Sequence, residues 1–145
     1  MDNDASGRED QPARPIPQPS AESIAYWQAA AHDELQLQRC ARCGAVQSLP
    51  RSVCQHCRAA ELIWFRALGH GRVASFTHVE RGPTPAFKTP YTLALIDLVE
   101  GSRLMLNLIG EDRLGVAIGD PVRIVFEARG DQGFKLPQAR RLVQA

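Results

Sequence analysis

The chain has 145 residues, the length of one ordinary domain or of two very small ones, and its 44% hydrophobic and 23% charged residues are those of a globular protein in water. Seventeen basic residues against sixteen acidic ones leave a net charge of +1, which is not the charge of a protein whose main partner is a phosphate backbone. No stretch approaches the ~20 apolar residues that span a bilayer, and the polar amino terminus has no hydrophobic region behind a basic one, so we expect a cytoplasmic protein with no membrane segment.

The amino-terminal segment combines low hydrophobicity with four prolines. A segment of this composition cannot bury enough apolar surface to offset the conformational entropy that it would lose on ordering. We therefore predict that residues 1–19 form a disordered tail.

An amphipathic helix is predicted for residues 20–35. Ser20 follows a proline and is a suitable N-cap, and Glu22 in the first turn complements the helix dipole. The residues at helical spacing that form its apolar stripe are Ile24, Trp27, Ala31 and Leu35. Such a stripe docks either on the body of the chain or on a partner protein, so Ile24 and Trp27 are candidate partner-docking residues.

Two Cys-x-x-Cys pairs give the most specific signal in the sequence, Cys40 with Cys43 and Cys54 with Cys57, within a segment of residues 36–66. Each pair places two thiolates on one side of a tight loop, where both reach a metal at ~2.3 Å. Four protein ligands close a tetrahedral coordination sphere and leave no position for water or substrate, so we predict a structural zinc site. A redox pair is disfavoured because that motif is a single Cys-x-x-Cys in a βαβ unit. Rubredoxin-type iron uses the same four thiolates and stays open.

From Gly69 onward the pattern changes to period two and to apolar runs bounded by turn residues, which predicts strands. The predicted strands are Arg72–Val79, Tyr91–Val99, Arg103–Ile109, Val122–Ala128 and Phe134–Leu142. Five strands with a connector between the third and the fourth are typical of an OB-fold, a small, partly open Greek-key barrel. A five-stranded SH3-like barrel gives much the same pattern, so the strand count leaves the topology open.

A set of short motifs follows a fixed order along residues 22–138. The residues in these motifs are Tyr26 and Trp27, Leu37 to Gly44, Pro50 to Cys57, Gly69 to Val73 with Ser75 and Thr77, Pro90 and Tyr91, Glu100 and Gly101, and Gly119 to Val122 with Phe126. In content and order they resemble a known family of small proteins, long filed as a domain of unknown function, that join a rubredoxin-like zinc ribbon to an OB-fold. Arg58 departs from the family pattern, which often has a glycine after the last cysteine.

The resemblance implies a mainly β protein with an N-terminal helix, a rubredoxin-like zinc ribbon at residues 36–66 and a five-stranded OB-fold barrel at residues 67–145. It also implies a non-catalytic accessory subunit of an acyl-CoA-processing enzyme complex, with a thiolase-like protein as its partner and acyl-CoA as a ligand. In such assemblies the zinc-ribbon and OB-fold protein resembles a scaffold that completes or gates the CoA channel of its partner.

An OB-fold usually binds its ligands with the face of its second and third strands and with the flanking loops. The long loop at residues 80–90 is expected there, and the candidate ligand-binding residues in and beside it are Arg81, Phe87, Lys88 and Tyr91. A cation beside an aromatic ring can hold a CoA phosphate while the ring stacks on the adenine. Alternatively, the aromatic side chains of so long a loop anchor it to the barrel.

A cluster of arginines surrounds the cysteine pairs, and we take Arg42 and Arg51 in it as further candidate partner-docking residues. Nucleic-acid binding is the rival use of such a cluster. Proteins that bind single strands need a basic groove interleaved with stacking aromatics, and aromatic residues make up only 6% of this chain. We therefore place nucleic-acid binding behind two other functions, the accessory subunit and a standalone acyl-CoA binding protein.

No catalytic residue is predicted. His32, His70 and His78 have no nucleophile at a recognisable spacing, and the sequence has neither a Gly-x-Ser-x-Gly elbow nor a phosphate-cradling glycine loop. We therefore expect a chain that is not an enzyme by itself.

Overall fold

The computed structural model describes residues 13–142, and within them the chain is mainly β. The helical elements are α1, Ile24–Ala30, and a 3-10 turn, Arg113–Gly115. The strands are β1 Gln36–Cys40, β2 Val46–Gln47, β3 Leu62–Arg66, β4 His70–Val79, β5 Tyr91–Leu98, β6 Arg103–Ile109, β7 Pro121–Arg129 and β8 Phe134–Arg141. None of the helices formed by these residues has the length and apolarity to cross a membrane. Most of the predicted disordered tail, residues 1–12, lies outside the described residues.

The helix is shorter than predicted, and its buried face coincides with the predicted stripe only in part. After α1 the chain leaves the helical path through Asp33, whose φ of 60° is left-handed. Leu35 is buried as predicted, but it leads into β1 and is not part of the helix. Ile24 is 49% exposed, and the buried helix residues are Tyr26 and Ala30. The predicted stripe assumes a helix that continues to residue 35, and the left-handed turn breaks that continuity.

Trp27 fastens α1 to the barrel. Its ring centroid lies 5.1 Å from that of Phe134 in β8 and 4.9 Å from that of Tyr26, which it meets edge to face. Aromatic pairs of this kind contribute ~0.5–1.5 kcal/mol beyond the area that they bury. The helix α1 therefore docks on the body of its own chain, the first of the two predicted alternatives.

Strands β1, β2 and β3 form an antiparallel sheet in the order β2-β1-β3. β1 pairs with β3 along its whole length, from Gln36 opposite Arg66 to Cys40 opposite Leu62. Because Cys40 is the last residue of β1, the sheet holds the first cysteine pair at one of its ends.

The other five strands close a barrel in the order β4-β5-β6-β8-β7, in which β4 pairs with both β5 and β7. β8 runs parallel to β6 and antiparallel to β7, so the chain crosses from its third barrel strand to its fourth without pairing the two. This Greek-key crossing is that of an OB-fold and decides between the two topologies that the strand pattern left open. All five predicted strands are present, with ends within two residues of the prediction.

The ribbon and the barrel share one hydrophobic core. Ile96 and Leu108 fill the barrel at 0% and 1% exposure, and the same cluster of buried residues includes Leu37 of β1. A buried hydrogen bond of 2.7 Å joins the hydroxyl of Ser48, beside β2, to that of Ser102, in the hairpin between β5 and β6. The ribbon is therefore packed firmly against the barrel.

Candidate metal centre and ligand-binding clefts

The two Cys-x-x-Cys turns are built alike. In the first turn the Gly44 N–H donates to the Cys40 carbonyl at 2.9 Å, and in the second the Arg58 N–H donates to the Cys54 carbonyl at 2.8 Å. Both donors lie in left-handed backbone, with φ of 78° at Gly44 and 65° at Arg58. This conformation is free for glycine but costs other residues ~1–2 kcal/mol. The geometry explains why a glycine suits the position after each cysteine pair, and it shows that Arg58 takes the same backbone conformation at a cost.

The four sulfurs converge. The Sγ atoms of Cys40 and Cys57 lie 3.5 Å apart, those of Cys43 and Cys54 lie 3.7 Å apart, and all four lie within 4.8 Å of one another. A tetrahedral zinc with ~2.3 Å bonds to sulfur places its ligands about 3.8 Å apart, so the cysteines fit the ion. Since the chain supplies all four ligands, the zinc is structural and holds the two turns together.

Backbone N–H groups point at two of the sulfurs. The Cys43 N–H lies 3.4 Å from Cys40 Sγ, and the N–H groups of Cys57 and His56 lie 3.4 and 3.3 Å from Cys54 Sγ. The Cys57 N–H is the main cause that lowers the pKa of Cys54 to about 6, and the Cys43 N–H likewise lowers the pKa of Cys40. At Cys40 and Cys54 the turns thus favour the thiolate, the form in which cysteine binds zinc.

A polar cleft runs beside the loop between β4 and β5. One part of it, of about 480 Å³, is lined by Phe87, Lys88 and Tyr91 together with Arg14, and an adjoining part of about 370 Å³ adds Arg113. The rings of Phe87 and Tyr91 lie 6.0 Å apart. The charged residues of the polar cleft are Arg14, Lys88, Arg113, Glu111 and Glu127, so cations outnumber carboxylates.

An apolar groove of about 350 Å³ lies next to the polar cleft, between α1, the loop that follows β2, and the barrel. Its apolar lining residues include Trp27, Leu49, Pro50, Leu93, Met105 and Leu136. Phe87 and Asn107 line both the groove and the cleft, so the two spaces adjoin.

A cluster of two arginines and one carboxylate lies at this junction. Arg14 Nη2 is 3.0 Å from Glu127 Oε1, and Arg129 Nη2 is 3.8 Å from the same oxygen. Arg129 also donates through Nη1 to the Pro15 carbonyl at 3.2 Å. Burial, with the nearby charge of Arg14, lowers the pKa of Arg129. One carboxylate shared by two guanidinium groups leaves the junction with positive charge.

Two family models match the chain in consecutive segments. Residues 27–62 match the model described as ChsH2, rubredoxin-like zinc ribbon domain, and residues 64–127 match the model described as ChsH2, C-terminal OB-fold domain. A DUF35 domain-containing scaffold protein of Methanothermobacter thermautotrophicus is 33% identical over 98 residues, which are 66% of this chain and 73% of that protein. The chain belongs to the DUF35 family.

Two further relatives extend the match. A solved structure described as the Ltp2-ChsH2(DUF35) aldolase superposes with a TM-score of 0.78 at 34% identity, covering 88% of this chain and 100% of that one. A probable enoyl-CoA hydratase alpha subunit of Thermomonospora curvata is 37% identical over 130 residues, or 90% of this chain. The DUF35 chain spans only 40% of the length of that relative.

The DUF35 fold brings together some of the predicted site residues and separates others. Phe87, Lys88 and Tyr91 meet in the polar cleft, whereas Arg81 is exposed and does not line it. The candidate docking residues Arg42 and Arg51 are exposed on the ribbon. The other two candidate docking residues lie on α1, where Ile24 is exposed and Trp27 is half-buried and lines the apolar groove.

A pair of buried glutamines, missed by sequence reasoning, supports the zinc ribbon of this DUF35 protein. Gln38 and Gln47 face each other across β1 and β2, and their side chains are joined by a hydrogen bond of 2.8 Å. Gln38 also bonds the Arg51 N–H and carbonyl at 3.0 Å each, and Gln47 accepts from the Gln55 N–H at 2.9 Å. The pair thus ties down the loop between the two cysteine turns. Two glutamines in short strands are unremarkable in the sequence, and only the register shows that they meet.

Proposed function

We propose that this DUF35 chain is a non-catalytic accessory subunit of an acyl-CoA-processing enzyme complex, that its catalytic partner belongs to the thiolase superfamily, and that its OB barrel contributes to acyl-CoA binding. The observation that carries the proposal is the polar cleft adjoining the apolar groove on one face of the molecule. The names of its relatives support it: one is a probable enoyl-CoA hydratase subunit, one a scaffold protein, and one the ChsH2 part of an aldolase with Ltp2.

The chemistry of the two spaces matches the two ends of an acyl-CoA. Lys88, Arg14 and Arg113 supply cations for phosphate oxygens, which form strong charge-assisted contacts with lysine and arginine. The rings of Phe87 and Tyr91 offer flat surfaces to an adenine. The apolar groove offers the acyl chain a surface from which water is displaced.

The non-catalytic part of the proposal rests on the described side chains. The zinc site has four protein ligands and no open position for a substrate. His78 Nδ1 lies 2.9 Å from Thr92 Oγ1, the spacing of a base and a nucleophile, but Thr92 is fully buried in the barrel wall. That pair is therefore a structural hydrogen bond that no substrate can reach.

The test begins with the full zinc-loaded chain tagged in its native cell. We expect it to purify with a thiolase-superfamily protein, and we expect the acyl-CoA turnover of that protein to fall when the chain is removed and to recover when it is added back. If the chain purifies without a partner and still binds acyl-CoA, it is a standalone acyl-CoA binding protein. Turnover by the isolated chain would contradict the non-catalytic assignment.

A charge reversal in the polar cleft tests the ligand part. We expect Lys88→Glu to weaken the binding of dodecanoyl-CoA by tenfold or more, because the exchange turns an attraction for phosphate into a repulsion. Arg123→Glu is the matched control, since Arg123 is exposed on β7 and lines neither the cleft nor the groove. Equal affinities for both variants and the wild type would rule out phosphate binding in the polar cleft.

A further inference from the structure

Asn107 stands where the two spaces meet. It lies in β6, at the position opposite Leu93 of β5, and it lines both parts of the polar cleft as well as the apolar groove. Its backbone N–H is engaged by the Gln138 side chain at 3.2 Å, which fixes the strand at this point. Any ligand that extends from the polar cleft into the groove therefore passes the side chain of Asn107.

Two buried polar atoms beside this passage have no hydrogen-bond partner within the described residues. One is an acceptor, Asn107 Oδ1, and the other is a donor, Nε of Arg129. Arg129 also lines the groove, and its side chain is 11% exposed. A buried polar atom without a partner costs ~1–3 kcal/mol, and a ligand group that bonds either atom recovers that cost.

We propose that Asn107 and Arg129 bind the amide groups of a phosphopantetheine-type arm and so pass the arm from the polar cleft to the groove. An amide presents one N–H and one carbonyl, which are the complements of the unpartnered oxygen and the unpartnered N–H. The arm links phosphate at one end to a thioester at the other, and this order matches the cationic cleft and the apolar groove. Asn107 is then a specificity-determining residue that separates arm-linked thioesters from free fatty acids of equal length.

The inference rests on the proposed function, because it assigns a subsite within the same ligand face, by which we mean the polar cleft together with the apolar groove. The arm occurs both in CoA and on acyl carrier proteins, and the shared chemistry leaves both as sources. Four probes separate the possibilities: dodecanoyl-CoA, a dodecanoyl carrier protein, and a matched pair of dodecanoyl pantetheine thioesters. In one member of the pair the amide nearest the thioester is kept, and in the other it is replaced by an ester, which removes the N–H and keeps a carbonyl, though a weaker acceptor, in the same place.

We expect the zinc-loaded chain, alone or with its co-purified partner, to bind the amide probe about tenfold more tightly than the ester probe, the worth of one hydrogen bond at a buried acceptor. Asn107→Leu should bind both probes with the affinity that the wild type has for the ester. Asn107→Ser repeats the measurement with a small polar residue, should the leucine variant fail to fold. Arg103→Gln is the control, because Arg103 is exposed on the same strand, pairs with Asp97 and lines neither space.

The outcomes separate the two proposals. If dodecanoyl-CoA binds but the wild type does not distinguish the amide from the ester, or if Asn107→Leu and Asn107→Ser keep the distinction, the subsite is wrong while the proposed function stands. If the amide preference is present and only the carrier protein competes for it, the subsite stands and CoA is the wrong source. If no probe binds to the chain or to its complex, the subsite falls together with the acyl-CoA-binding part of the proposed function.

Discussion

The two cysteine turns allow a direct comparison of residue types in left-handed backbone, since the equivalent position is a glycine in one turn and an arginine in the other. Gly44 has a φ of 78° and Arg58 a φ of 65°, and both donate the same hydrogen bond. We predict that Arg58→Gly stabilises the zinc ribbon and that Gly44→Ala destabilises it. Each substitution changes the backbone preference at one turn and leaves the sulfur ligands in place.

The magnitude follows from two opposing terms. A non-glycine residue pays ~1–2 kcal/mol for left-handed backbone, while glycine loses ~0.5–1 kcal/mol more backbone entropy on folding. The difference is a gain of about 0.5–1 kcal/mol for Arg58→Gly and a similar loss for Gly44→Ala. A Cβ at Gly44 would have nothing within 4 Å, so no steric clash adds to the loss.

Zinc affinity is the sensitive assay, because metal binding and folding of the ribbon are coupled. A change in the stability of either turn therefore changes the affinity for zinc. A change of 0.5–1 kcal/mol corresponds to about a two- to fivefold change in the zinc dissociation constant, measured by competition with a chelator. Arg58→Ala is the control: it removes the side chain but keeps the left-handed cost, so its affinity should match the wild type. Weaker zinc binding by Arg58→Gly, or equal binding by Gly44→Ala, would refute the argument from backbone strain.

Two further predictions concern the metal and the polar pair beneath it. After chelation of the zinc, protease should cut residues 36–66 before it cuts the barrel, because structural zinc contributes on the order of 10 kcal/mol to folding such a ribbon. Simultaneous cleavage of both parts would contradict this prediction. Gln38→Leu should lower the free energy of unfolding by ~1–3 kcal/mol, because it removes the bond from the Gln47 amide nitrogen and both bonds to the Arg51 backbone. Gln36→Leu on the same strand is its control, and equal unfolding midpoints for the two variants in urea would show that the pair adds no stability.

The metal site and the strands could be predicted from the sequence because both are local patterns. Two Cys-x-x-Cys turns carry their own geometry, and period-two alternation marks each barrel strand whatever its neighbours are. The order of the strands depends on pairings between distant segments, so it needed the structure. The helix was predicted to continue to residue 35, but Asp33, an ordinary residue in the sequence, takes a left-handed conformation that a helix cannot include.

Only some residues of the ligand face could be predicted from the sequence, for the same reason. Lys88 and Tyr91 were predicted because they lie in and beside a loop of unusual composition, whereas Arg81 in the same loop is exposed and does not line the polar cleft. Arg14 lies in the segment predicted to be a tail, and it reaches the cleft through its ion pair with Glu127. Asn107 sits in a strand with nothing in its neighbourhood to mark it. Residues of this kind acquire a role only from what the fold places beside them.

The zinc and the ligand face are joined by one structural element, the loop between the two cysteine turns. Leu49 and Pro50 in that loop form a wall of the apolar groove, and Cys54 at the end of the loop is a metal ligand. Gln38 fixes the same loop by donating a hydrogen bond to the Arg51 carbonyl. Loss of zinc therefore releases a wall of the groove while the polar cleft, built from the barrel and residue 14, keeps its lining. On the proposed function, chelation should weaken the binding of dodecanoyl-CoA far more than that of CoA without an acyl chain. Equal weakening of both would show that the metal supports the whole barrel and not this wall alone.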